Sequence, residues 1–215
     1  MAGHRLRFWL EPTGGQRDAC GMDPGEARTR LVRLMQLAHA GERAAAHAYQ
    51  GHWRAVSDPL ERAAIQEIEA EEWEHRALVR GILTGLGAAP QPLREAFMGT
   101  LGRVIGWSCF VGGWYVPMYG AGKLEAQNVN EYAAAAILAE AAGEVRFLPA
   151  LRRMAEVEVR HEAWFRVRCA SHWLVRWIPL WRQPPPLLVP AEYQPLPSSR
   201  PLASAAANAR VSSLT

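Results

Sequence analysis

The chain has 215 residues, 49% hydrophobic and 21% charged, with 24 Lys and Arg against 21 Asp and Glu for a net charge of +3. That suffices for one domain with a sizeable core and is short for two. The mild basicity falls far below the dense positive patches of a nucleic-acid binder, so no nucleic-acid partner is expected. Residues 1–25, rich in Gly and Pro, read as a flexible leader. Their basic residues surround no apolar run of useful length, which makes a poor secretory signal; Glu11 and Asp18 speak against a mitochondrial import segment despite the arginines. Cys20, Cys109 and Cys169 are odd in number and form no C-x-x-C pair, as expected in a reducing compartment.

Helical spacing of Leu31, Leu34, Leu37 and Ala38 predicts a first helix from about Glu26 to Val56. Asp58-Pro59-Leu60-Glu61 then supplies an N-cap, a proline at the first helical position and the glutamate of a capping box. A second helix should run to about Leu86, before Gly87 and Pro90. The run from Val104 to Tyr119 is uncharged and mixes Trp, Phe and Tyr with Gly and Pro. Its 16 residues are short of the roughly 20 needed to span a bilayer, which leaves a buried core helix or an interfacial helix flanked by Arg94, Arg103 and Lys123. Two more helices are expected, Lys123 to Ala142 and Glu144 to about Cys169, with Gly143 between them. The aromatic-basic segment 172–182 could also lie on a membrane, and the Pro-, Ser- and Ala-rich residues 183–215 read as a disordered tail after a bundle spanning 26–182.

Two Glu-x-x-His motifs stand out, Glu72 to His75 and Glu158 to His161, each on the second helix of a hairpin. Residues three apart share a helical face, so each motif aims a carboxylate and an imidazole at one spot. One such match is weak; two fit a di-iron carboxylate bundle, which needs one further glutamate from each of the other two helices. Glu42 precedes Asp58 by 16 residues and Glu72 follows it by 14, which puts both about 21–24 Å from the turn. In the second hairpin, turn geometry leaves Glu125 and Glu131 level with Glu158. An internal echo favours Glu125, since Tyr132 follows it by seven residues as Tyr49 follows Glu42; Glu131 is the runner-up.

Carboxylates and imidazoles suit iron in both oxidation states, and four carboxylates neutralise two Fe(II) ions in an apolar bundle. Without metal they would repel one another and take up protons. Against this, Glu67, Glu69, Glu71 and Glu74 are expected to face solvent, His39 to support the site or cap rather than ligate, and His47, His52 and His172 to be ordinary surface or core residues. Tyr49 and Tyr132 are divided between core packing and a role beside the metals.

The segments LAHAGERAAAHAYQGH (37–52), AEEWEHRALVRGILTGLGAAP (70–90) and EVEVRHE (156–162) resemble the demethoxyubiquinone hydroxylase family over roughly residues 30–170. The resemblance is most specific at His-x-Gly-Glu (39–42) and Tyr-x-Gly (49–51). It implies six ligands to two iron ions, at Glu42, Glu72, His75, Glu125, Glu158 and His161. It further implies an all-α, ferritin-like four-helix bundle with an extra apolar, membrane-facing helix. The implied activity is O₂-dependent hydroxylation of a polyprenylated benzoquinol in ubiquinone biosynthesis. Within it, Glu72 and Glu158 are expected to bridge the ions and Tyr132 to assist proton or electron transfer. The expected location is peripheral, on the cytoplasmic face of the cell membrane or on the matrix face if mitochondrial, with a homo-oligomer or a helper protein left open. Where the family tends to have a histidine six residues beyond the third ligand glutamate, this chain has Glu131, and the second hairpin is only loosely similar. The competing readings are a di-iron oxidase or peroxide scavenger on another substrate, and a non-catalytic iron-binding, membrane-associated protein.

Overall fold

Prolines in the opening turn start four of the five α-helices in a computed structural model of the chain, which describes residues 22–184. The helices are α1 (Pro24–Ala55), α2 (Pro59–Gly85), α3 (Pro92–Ser108), α4 (Tyr115–Ala141) and α5 (Leu148–Ala170). Short 3-10 turns lie before α5 at Val145–Phe147 and after it at Trp173–Arg176, and there is no strand among the described residues. A proline there costs nothing, because the first N–H groups have no intrahelical acceptor. Asp23 accepts from Glu26 N at 3.0 Å and Asp58 from Leu60 N and Glu61 N at 2.9 Å, so both caps are made by carboxylates. Glu61 does not complete the expected capping box. Its carboxylate turns to Trp114 Nε1 at 2.7 Å and Arg168 Nε at 3.6 Å, tying the start of α2 to the other hairpin.

The long helices form an all-α bundle: α1 packs on α2, α4 on α5, and α1 on α4, with α3 laid along α1. Most of the leader (residues 1–21) and the tail from 185 lie outside the described residues; Pro24 and Gly25, expected in the leader, already belong to α1.

The 104–119 run is not one helix. It ends α3 at Ser108, turns, and restarts at Tyr115, eight residues before the expected start of α4. Gly113, at φ +66°, takes the left-handed conformation that this reversal requires. Pro117 is tolerated because it lies in the first turn of α4. Nor is α3 a buried core helix. Its buried residues are Glu95, Gly99, Gly102 and Gly106, whereas Leu93, Phe97, Val104 and Trp107 are each more than half exposed. The glycines let the α3 backbone lie directly on α1. A Cβ on Gly102 would fall 2.3 Å from the Ala44 carbonyl oxygen, and one on Gly51 would fall 2.2 Å from that of Gly106. No described helix is long and apolar enough to cross a membrane.

Segment 172–182 also divides. Trp173 and Trp177 are exposed, but Trp181 is buried, donating to Glu162 Oε1 at 2.7 Å while its ring covers Gly122.

Candidate metal centre

Each Glu-x-x-His motif spans one turn near the middle of its helix, and all six side chains singled out by the resemblance point into the bundle. Glu42, Glu72, His75, Glu125, Glu158 and His161 are at most 3% exposed. They form two sets, Glu42, Glu72, His75 and Glu158, and Glu72, Glu125, Glu158 and His161. Within each set the potential ligand atoms lie within 4.8 Å of one another. Glu72 and Glu158 belong to both. His75 Nδ1 is 2.9 Å from Glu158 Oε1, and His161 Nδ1 is 3.5 Å from Glu72 Oε1 and 3.7 Å from Glu158 Oε2.

These approaches are not aligned as hydrogen bonds. Both oxygens of Glu72 and of Glu158, Glu42 Oε2, and Nδ1 of His75 and of His161 are buried without a hydrogen-bond partner. Buried polar atoms are rarely left so, since each costs roughly 1–3 kcal/mol. Seven converging on one spot, all oxygen or imidazole nitrogen, are a donor set that fits iron.

The electrostatics agree. Burial, then the neighbouring carboxylates, pushes Glu42 and Glu125 well above the ordinary carboxylate range and Glu72 up to about 7. Burial also opposes the charge on Glu158, but the close approach of Glu125, His161 and His75 outweighs it and holds this carboxyl below its usual value. Both site histidines are raised, burial being overcome chiefly by Glu158. The metal-free site thus holds protons where cations would relieve the same repulsion.

Around the six lies a ring of donors. Tyr49 on α1 donates to Glu125 on α4, and Tyr132 on α4 donates to Glu42 on α1. His39 Nδ1 lies 2.7 Å from Glu95 Oε1, whose other oxygen accepts from Arg76 at 2.7 Å; His39 belongs to neither set. Glu131 is only half-buried and also stands outside both sets. His52 is buried, His47 lies beside Gln50, and His172 stacks on Trp114 and Tyr115.

Two of the glutamates expected in solvent are only partly exposed and hold partners. Glu69 accepts from Gln50, Trp53 and Trp73, while Glu71 Oε2 lies 2.5 Å from His161 Nε2. Burial opposes the charge on Glu71, but the bond to His161 and the nearby Arg160 hold its carboxyl below the ordinary range. Sequence reasoning missed Glu71, Glu95 and Glu162. The only signal for Glu71 was its place beside Glu72, which a solvated acidic tract explains equally well.

Comparison with known proteins gives two findings. Residues 29–133 match the model of the family described as ubiquinone biosynthesis protein COQ7. The 3-demethoxyubiquinol 3-hydroxylase of Alcanivorax borkumensis (strain SK2) is 34% identical over 77 residues, 36% of this chain and 35% of the relative, so the likeness spans about a third of that protein's length. The family match covers Glu42, Glu72, His75 and Glu125 with both tyrosines, whereas Glu158 and His161 lie beyond it on α5.

Proposed function

We propose, from the match of residues 29–133 to the COQ7 family of ubiquinone biosynthesis proteins, that this chain is a member of that family and a di-iron monooxygenase of ferritin-like fold. Its proposed reaction is the hydroxylation of a polyprenylated, demethoxyubiquinol-like benzoquinol. The observation that carries the reading is the sharing of Glu72 and Glu158 between two sets that each add one glutamate and one histidine.

In this reading one iron ion would be held by Glu42, Glu72, His75 and Glu158 and the other by Glu72, Glu125, Glu158 and His161. Bound iron would supply the activation of O₂, in a reaction that replaces a ring C–H by C–OH and releases the second oxygen atom as water, consuming two protons and two electrons from an external reductant. The residues do the rest. Tyr132 Oη holds its proton on Glu42 Oε1, and Tyr49 Oη does the same for Glu125 Oε1, each fixing the carboxylate it touches. Packing that leaves all six side chains at most 3% exposed keeps bulk water from the reacting centre.

The exposed apolar face of α3, with Val111, Trp173 and Trp177, suits peripheral contact with the cytoplasmic face of a membrane, or the matrix face if the protein is mitochondrial. A polyprenyl quinol would reach the bundle from that side. The test is supply of this protein to a strain lacking its own demethoxyubiquinol hydroxylase. Restored quinone synthesis is expected, and an undiminished pool of the demethoxy precursor would refute the substrate.

A further inference from the structure

The two halves of the centre differ in what stands behind their histidines. His161 turns Nδ1 toward the shared carboxylates, while its Nε2 meets Glu71 Oε2 at 2.5 Å. Glu71 is held in turn by Arg160, whose guanidinium lies 3.4 Å from its other oxygen. His75 likewise turns Nδ1 toward Glu158, 2.9 Å from its Oε1, but its outer nitrogen, Nε2, has no carboxylate partner of this kind among the described residues.

This difference bears on metal binding. A carboxylate on the outer nitrogen of an imidazole fixes the tautomer, leaving the inner nitrogen's lone pair free. It also locks the ring and, once the inner nitrogen's proton has left, makes its lone pair a better donor. A cation entering beside His161 therefore displaces a proton from a ring already held at its outer nitrogen, whereas an ion entering beside His75 must also select the tautomer and order the ring.

We propose that Glu71 is a positioning residue that makes the two subsites unequal, so that the one built by Glu125 and His161 takes up a divalent cation first and more tightly. The inference rests on the two-metal reading above. The plainer account is that Glu71, His161 and Arg160 form an ion-pair cluster joining α2 to α5. That account predicts a change in metal-free stability with no change in the order of metal uptake.

The test is titration of the full chain with Mn(II), following free Mn(II) by electron paramagnetic resonance. The parent should bind two Mn(II) in two resolved steps. Glu71→Ala should weaken the first by about 10–100-fold and leave the second unchanged. Glu71→Gln, which keeps an acceptor oxygen without the charge, should recover part of that loss and guards against a misfolded alanine variant. His75→Ala should keep the tight step. A tight step untouched in both Glu71 variants, or one lost in His75→Ala, overturns the proposal. Two equal steps in the parent also overturn it while leaving the two-metal reading intact, whereas a parent that binds no Mn(II) sinks both.

Discussion

Tyr132 donates its hydroxyl to Glu42 across 90 residues of sequence, from the second hairpin to the first. Tyr49 returns the same bond to Glu125. Each outer carboxylate of the centre is therefore held by the opposite hairpin, so that closing the bundle and shaping the site are one event. In Tyr132→Phe, Glu42 loses this donor in a buried setting, which should destabilise the metal-free protein by about 1–3 kcal/mol in a denaturant titration. If Tyr132 also passes protons during turnover, quinol hydroxylation should fall by about 10²-fold or more with iron content retained. Unchanged turnover would remove Tyr132 from the chemistry and leave it a structural role.

The choice between Glu125 and Glu131 gives a paired comparison. Glu125 is fully buried within a ligand set, whereas Glu131 is half-buried outside both. Glu125→Ala should lose bound iron, while Glu131→Ala should keep it with a stability change within about 1 kcal/mol. The reverse pattern would reassign the third carboxylate.

Stability against pH should differ in sign with and without metal. Glu42 and Glu125 are raised, Glu72 to about 7, and His75 and His161 are raised as well. Above pH 6.5 the unfolded chain has released these protons while the folded metal-free protein still holds them, so its stability falls as pH rises. The depressed Glu158 contributes its own stability above the ordinary carboxylate range and loses it only in acid, outside this window. His52, lowered to about 4 by burial, favours unfolding only as pH drops below 6.5. Melting temperatures of metal-free protein should thus decline from pH 6.5 to about 8. Those of Fe(II)-loaded protein, kept anaerobic, should not, because metal binding needs the ligands deprotonated. Parallel profiles would contradict the site's assignment.

The contact between α3 and α1 is testable by size alone. Gly102→Val would drive a branched side chain into the Ala44 backbone, two residues from Glu42. It should cost at least about 1–3 kcal/mol and loosen the Glu42 subsite, which melting curves and metal content would report together. A variant as stable as the parent would show that α3 is free to lift away.

The site was more legible in the sequence than its surroundings. Glu72 with His75 and Glu158 with His161 can be read because a three-residue step on a helix fixes a shared face, and Glu42 because hairpin partners stand level. Glu125 needed the tyrosine echo, which the crossed hydrogen bonds now account for. Glu71 and Glu95 could not be read, since which carboxylate turns inward depends on the rotation of α2 and α3 against other helices. Nor does the polarity pattern of α3 follow the usual rule. Its inward face is glycine and its outward face Leu, Phe and Trp, so apolar content alone pointed equally to a core. The early start of α4 was hidden by Pro117, whose lost N–H is harmless only because the helix begins two residues before it.

The most direct test of the account is iron content after anaerobic loading and removal of loosely held metal. The parent should retain about two iron ions per chain, one for each set of ligands, while Glu158→Ala, which removes a carboxylate common to both, should retain almost none and stay helical by circular dichroism. A parent without stoichiometric iron, or a Glu158→Ala variant that keeps two, would contradict the paired-metal centre.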